Sequence, residues 1–239
     1  MRLALLSMSF LVVAVSATAG WQLGAFGDTE KRQKIDPFSS AFEHNDAFQF
    51  EPPQPGSYAL NVIKKAPEGR VLDIHGNSRK LSDLLQDKVS LVSFVYLNCG
   101  DINGCPLAMS TLFDIHDTSA KIPGLHENVQ LMTISFDPER DTVEAIEAFA
   151  YPITQSDTAT KKLDWHVLTT SGQAALTPIL EGFGQVVDRS TDQEQISHLL
   201  RIYLVDRDGQ IRNIYGLGLI DPRLLMGDVE TLLLEEGLL

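Results

Sequence analysis

The chain is poor in cysteine and in positive charge. Two cysteines among 239 residues exclude a scaffold built on disulfides, because such a framework needs a larger set of bridges. They can supply one redox or metal-binding pair, so their positions decide what they do. Lys and Arg number 19 against 32 Asp and Glu, for a formal net charge of -13. Phosphate-rich partners need clustered cations that this composition does not provide, which excludes nucleic acid as a partner class. There is no internal repeat and no low-complexity tract. What is present in quantity is apolar: 44% hydrophobic residues with 21% charged suffice for the core of one globular domain of moderate size.

The first residues speak to compartment. Met1-Arg2 is a short basic start, residues 3–15 are apolar apart from Ser, and Ala17-Thr18-Ala19 is a small-x-small pattern, the three parts of a secretory signal peptide. Residues 1–19 are read this way, with cleavage near Ala19 and a bacterial periplasm as destination, where thiols meet an oxidising environment. The alternative is an uncleaved anchor facing the same compartment, but the apolar core falls short of the roughly 20 residues that a spanning helix needs. Residues 20–58 are polar and irregular, with Pro37, Pro52, Pro53 and Pro55, and read as an extended arm. The packed domain is expected over 59–239, beginning near Leu60.

Within that domain strands alternate with helices. A strand, a turn and a short helix are expected over 70–85. Residues 89–97 form a β-rich run without charge, suited to a central strand buried on both faces. Apolar positions Leu107, Met109, Leu112, Phe113 and Ile115 then follow with helical spacing after Pro106, which a first helical turn accepts. Residues 129–136 repeat the buried-strand pattern, and Asp141-Thr142-Val143-Glu144 predicts a capping box opening a helix through Phe149. A short strand over 165–168, a helix over 173–180, a hairpin of 198–205 with 211–215 around Asp206-Arg207-Asp208-Gly209, and a helix after Pro222 complete the pattern. The fold class is α/β: a central mixed sheet flanked by helices, preceded by an extended arm.

The cysteines lie in Cys99-Gly100-Asp101-Ile102-Asn103-Gly104-Cys105-Pro106, between the first buried strand and its helix. Sites of α/β sheets open there, because the strand's carboxyl end meets free amide donors at the helix start. A thiol at a helix N-terminus has a lowered pKa, so Cys105 is expected to be the more thiolate-like of the two. As a purely structural bridge so short a loop would contribute only about 2 to 2.5 kcal/mol. Position therefore favours a functional pair.

At this point the chain resembles a family. The cysteine pair after a strand, Ser135-Phe136-Asp137-Pro138-Glu139-Arg140-Asp141-Thr142, and Ser197-His198 leading into Tyr203-Leu204-Val205-Asp206-Arg207-Asp208-Gly209 are similar to the SCO/SenC family from about Pro67 to the C-terminus. The resemblance implies a thioredoxin-like fold and assistance in copper insertion into cytochrome c oxidase. It also implies a copper site of two cysteines and a distant histidine, here Cys99, Cys105 and His198. Two thiolates with one imidazole suit Cu(I), tolerate Cu(II), and leave a further position open for transfer. One departure is visible: five residues separate these cysteines where the family has three, and Gly100 and Gly104 are expected to let the longer loop turn back.

Other candidates are weaker. His198 is singled out by the resemblance alone, against His44, His75, His116, His126 and His166. The nearby Leu199 and Leu200 stand where generic thioredoxin-like reductases carry a cis-proline, and its loss fits metal binding better than disulfide exchange. Asp137, Glu139, Arg140 and Asp141 are read as a turn with a helix cap and local charge pairing rather than an acid-base cluster. Met109 and Met132 sit in apolar periods and are read as core. Glu43-His44-Asn45-Asp46 is read as solvated.

The leading function is a periplasmic copper-binding protein delivering copper to a cuproprotein such as a cytochrome c oxidase subunit. The rival is a thiol-disulfide oxidoreductase in which Cys99 and Cys105 form the redox pair, served by a periplasmic thiol reductant; a third is a redox or copper sensor. A membrane enters only through the partner or through an uncleaved N-terminal segment. Export predicts a mature chain beginning close to Gly20. Intact mass of periplasmic material checks this, and full-length protein confined to membranes would contradict it.

Overall fold

The computed structural model of the protein describes residues 37–46, 48–99, 104–155, 161–189 and 196–239. The expected signal peptide, the first part of the arm, Gly100 and Asn103 lie outside them. The strands and helices are, in chain order, β1 (Lys64–Lys65), β2 (Arg70–Leu72), β3 (Ser78–Lys80), α1 (Leu81–Leu84), β4 (Val89–Val95), α2 (Cys105–Ser119), α3 (Leu125–Asn128), β5 (Val129–Ser135), α4 (Val143–Thr154), β6 (Asp164–Leu168), α5 (Gln173–Phe183), β7 (Val187–Asp188), β8 (Ser197–His198), β9 (Arg201–Val205), β10 (Gln210–Gly216) and α6 (Pro222–Glu235).

Six strands form one mixed sheet in the order β1-β10-β9-β4-β5-β6. β4, β5 and β6 run parallel, while β9 lies antiparallel to β4 and to β10. All seven residues of β4 and all seven of β5 are buried, as their uncharged, β-branched runs require of strands covered on both faces. The period of two divides their side chains between two cores. Val92, Phe94, Met132, Ile134, Tyr203 and Val205 join Leu176, Ile179, Leu180 and Phe183 of α5 on one face. Leu91, Leu131, Ile202 and Leu204 join Leu112 and Ile115 of α2 and Leu225, Met226 and Val229 of α6 on the other. A smaller cluster of Ile146, Ala150 and Ile153 from α4 with Val167 covers the β6 edge.

Two expected details differ. The cap of α4 is Thr142, whose hydroxyl accepts from the Ala145 amide at 3.4 Å; Asp141 is instead drawn inward by two donors from other elements. The hairpin strand begins at Arg201, not at His198, because Ser197 and His198 pair with β7 in a separate two-stranded ladder. Its turn is as expected, with Gly209 at φ 74° and the Asp206 carboxylate accepting from the amides of Asp208 and Gln210 at 3.1 and 2.8 Å.

The described part of the arm is irregular apart from one 3-10 turn, Phe38–Ala41, and packing starts earlier in the chain than Leu60. Phe38 and Phe48 are buried, two aromatic anchors that offset the entropy of ordering a polar segment. The arm also satisfies the acidic face of α6. The Phe38 amide donates to Glu230 at 2.7 Å, the Gly56 amide to the Thr231 hydroxyl at 3.1 Å, and the Tyr58 hydroxyl to Asp228. Asp228 also accepts from Tyr215 at 2.6 Å and Asn213 at 2.8 Å, so this buried carboxylate is fully partnered. Among the described residues no helix is long and apolar enough to cross a membrane.

One close approach gives a stability prediction. A Cβ on Gly182, inside α5, would lie 2.2 Å from Cβ and 2.6 Å from Cγ of Pro67. Ala is favoured over Gly in a helix by about 1 kcal/mol, but forcing a carbon into a packed rigid ring costs about 1–3 kcal/mol. Gly182→Ala is therefore expected to be net destabilising, seen as a lowered urea midpoint at unchanged slope. An unchanged or raised midpoint would contradict this packing.

Candidate metal centre

The site lies at the carboxyl end of β4. After Val95 the chain makes a turn in which the Cys99 amide donates to the Tyr96 carbonyl at 3.3 Å. Helix α2 opens at Cys105 with Pro106 in its first turn, so Cys105 is carried by a rigid element while Cys99 sits on the strand's extension. His198 arrives on β8, where it faces Val187 of β7.

These three side chains converge, although Cys105 and His198 are 93 residues apart in the chain and Cys99 lies farther still from His198. Cys105 Sγ lies 3.4 Å from His198 Nε2, and the donor atoms of Cys99, Cys105 and His198 are all within 4.8 Å of one another. A trigonal site with metal–sulfur bonds of about 2.3 Å and a metal–nitrogen bond of about 2.0 Å would separate its donors by about 4 Å. The cluster therefore fits one ion with sub-ångström adjustment, and the five-residue interval does not prevent convergence. The two sulfurs are not bonded to each other. His198 Nδ1 lies 3.2 Å from the Ile196 carbonyl, which can only accept. The proton is thereby assigned to Nδ1, leaving the Nε2 lone pair facing Cys105.

The walls are aromatic. The ring of Phe136 packs on the imidazole at 4.9 Å, and that of Tyr96 meets it edge-on at 5.9 Å and 86°. Cys105 is 3% exposed, and burial, reinforced by neighbouring Cys99, pushes its thiol well above the ordinary range. This corrects the expectation that Cys105 is the more thiolate-like sulfur: the desolvation of a buried thiolate outweighs the stabilisation offered by a helix start. Burial also pushes up the Tyr96 hydroxyl, with a contribution from Cys99. Cys99 and His198 are only partly buried, so the site opens to solvent on their side.

The turn after β5 braces the site from behind. The Asp141 carboxylate, buried to 1% exposure, accepts from Ser135 Oγ at 2.6 Å and from the Leu97 amide at 3.1 Å. It ties the backbone two residues before Cys99 to the end of β5, and burial raises its pKa. Asp137 pairs with the guanidinium of Arg140 and, at 3.5 Å, with that of Arg189. Glu139 is exposed and takes no place in the cluster. The charge pairing read from the sequence is present, while the role of Asp141 is support of the cysteine loop.

Met132 is fully buried and Met109 packs against the same core as Cys99, both as expected. His116 lies beside Asp117 and His126 beside Glu127; among the described residues no other metal-ligating cluster occurs. Tyr96, Phe136, Asp141 and Arg189 were not recognisable as site residues from the sequence. Tyr96 and Phe136 lie within apolar runs that read as core, and Arg189 lies in no motif.

A protein-family model described as SCO1/SenC matches residues 69–234. The chain belongs to the SCO1/SenC family. A curated relative, the SCO1 protein homolog of Bacillus subtilis (strain 168), is 27% identical over 135 residues, 55% of this chain and 64% of that protein. The match thus spans less than two thirds of that relative's length. Among solved structures, Arabidopsis thaliana ScoI with copper bound is 20% identical, with a TM-score of 0.56 over 70% of this chain and 96% of that one. BsSco, described with a disulfide switch and as a member of the Sco family of cytochrome c oxidase assembly proteins, is 22% identical, with a TM-score of 0.56 over 75% of this chain and 97% of that one. At these identities the likeness shows the fold, which is thioredoxin-like.

The unequal burial of the thiols predicts unequal reactivity. In the reduced, metal-free protein a small alkylating reagent at pH 7 should modify Cys99 first. The rate at Cys105 should keep climbing with pH beyond the point where an ordinary thiol, of pKa about 8.5, levels off. Peptide mass analysis over a pH series checks this, and faster modification of Cys105 than of Cys99 would contradict it.

Proposed function

We propose that this SCO1/SenC protein binds one copper ion through Cys99, Cys105 and His198 and delivers it, in the periplasm, to a copper-accepting protein such as a cytochrome c oxidase subunit. The observation that carries the reading is the convergence of two sulfurs and one imidazole nitrogen within 4.8 Å. Two soft donors with one borderline donor favour copper over hard cations, and Cu(I) accepts the low coordination number offered. The copper-bound Arabidopsis ScoI, sharing the fold, supports the same reading.

The geometry suits transfer as well as binding. Cys105 is fixed on α2 and buried, whereas Cys99 and His198 border the solvent. A partner's thiolate or imidazole can approach from that side and replace the outer donors one at a time, with Cys105 the last to let go. Loading requires the Cys105 proton to leave, so uptake is coupled to proton release and strengthens as pH rises. The N-terminal pattern supports export, either free in the periplasm or held by an uncleaved segment.

A second reading has its own support. The closeness of the two sulfurs that suits a metal also suits a reversible disulfide, as the disulfide switch described for BsSco illustrates. In that role Cys99, the more accessible sulfur, attacks a partner disulfide and Cys105 resolves the mixed intermediate; a periplasmic thiol reductant then restores the pair.

Anaerobic titration of the reduced protein with Cu(I) is expected to saturate at one copper per chain. Cys99→Ser and Cys105→Ser should each abolish tight binding, and His198→Ala should weaken it with the circular dichroism spectrum unchanged. Copper affinity unaltered in His198→Ala would remove the imidazole from the site, and tight binding retained in both serine variants would overturn the reading.

A further inference from the structure

The inference deepens, and rests on, the reading of His198 as a metal donor. That histidine stands on the weakest scaffold of the three. β8 is two residues long and pairs only with the two residues of β7, and a two-stranded ladder of that size does not hold itself in water. Leu199, next along, is 49% exposed. Yet the imidazole is placed closely enough to meet Cys105 Sγ at 3.4 Å and to pack, tilted, against Phe136 at 4.9 Å. Its orientation must come from ties between the ladder and the rest of the domain.

Two such ties are visible. On the β9 side, Gln185 Nε2 donates to the Leu199 carbonyl at 2.7 Å while its Oε1 accepts from the Tyr203 hydroxyl at 3.0 Å. On the β5 side the tie is Arg189, the residue that follows β7. Its guanidinium donates to the Phe136 carbonyl and pairs with Asp137 Oδ1 at 3.5 Å. Asp137 is 3% exposed and is also paired with Arg140, so its position is set before Arg189 reaches it. Phe136, whose carbonyl Arg189 grips, is the same residue whose ring carries the imidazole.

We propose that Arg189 is a positioning residue for the metal centre: it pins the β7–β8 ladder to the Phe136-Asp137 turn and thereby holds His198 Nε2 against Cys105. A planar guanidinium suits the task, since it reaches a carbonyl and a carboxylate at once. Arg189 touches none of the donor atoms; it acts through His198.

The test compares wild type, Arg189→Met, His198→Ala and the double variant. Arg189→Met keeps the apolar stem, leaves Asp137 paired with Arg140 and leaves the Gln185 tie intact, so the domain is expected to fold. Two readouts are taken: nitrogen-15 and proton NMR of the His198 ring in the reduced, metal-free protein, and Cu(I) affinity by competition. The wild-type ring should report a single Nδ1–H tautomer, and in Arg189→Met it should move towards the tautomer mixture of a solvated imidazole. Copper affinity should fall about 10–100-fold, the usual effect of losing a residue that orients a ligand, and the double variant should be no weaker than His198→Ala alone. Arg189→Gln, whose side chain is too short to span to the Phe136 carbonyl and Asp137 together, should give the same pattern and serves if the methionine variant does not fold. An unchanged ring signal, or an equal loss of affinity when His198 is already absent, would overturn the proposal. If wild type binds no copper while the ring signal still responds to Arg189→Met, the copper reading fails and the clamp stands.

Discussion

The antiparallel pairing of β9 against β4 is the constraint on which the site depends. β4 runs towards the end of the sheet where Cys99 follows, and with Ser93 opposite Ile202 and Ser90 opposite Val205, β9 must begin at that same end. Residues just after 95 and just before 201 are thereby brought together whatever the path between them. Had β9 joined the sheet in parallel, His198 would lie at the opposite edge of the core from both cysteines. The backbone ladder between buried stretches of two strands is among the least deformable parts of a domain. The candidate metal centre thus inherits its coarse geometry from the core, and only its fine geometry from loops.

The fine geometry is set by buried polar groups that must find partners. Asp141 takes the Leu97 amide and fixes the approach to Cys99; the start of α2 fixes Cys105; the Ile196 carbonyl fixes the tautomer of His198. Around them Tyr96 and Phe136 lower the local polarity, which strengthens any bond between thiolate and cation and penalises a bare thiolate. The same burial that raises the pKa of Cys105 in the metal-free state would, on the proposed function, make it a strong anchor once an ion replaced the proton. On the proposed function, unequal exposure of the two sulfurs separates holding from handing over.

Much of this fold was legible in the sequence, for identifiable reasons. β4 and β5 announced themselves because strands buried on both faces carry uninterrupted apolar runs, and α6 because Pro222 marks its start. The sheet end bearing Cys99 and Cys105 followed from the strand-to-helix junction. Features that rest on long-range pairing were not legible. The short β7–β8 ladder depends on residues about ten positions apart with no apolar period. Asp141 looked like a cap because Ser135 and Leu97, its true partners, are contributed by other elements. Burial of Cys105 reversed a rule that holds for exposed helix starts. His198 among six histidines was distinguishable only through family resemblance, and Arg189 had no local signal at all.

The central claim is that one ion is held jointly by two sulfurs and by an imidazole that β8 brings to the same end of the sheet. X-ray absorption at the copper edge of the Cu(I)-loaded protein tests this most directly, with His198→Ala as the reference. The account predicts a first coordination shell of two sulfur scatterers and one nitrogen with the outer-ring pattern of an imidazole, and loss of that pattern in the variant. A sulfur-only shell in the wild type, or identical spectra for the two proteins, would contradict it.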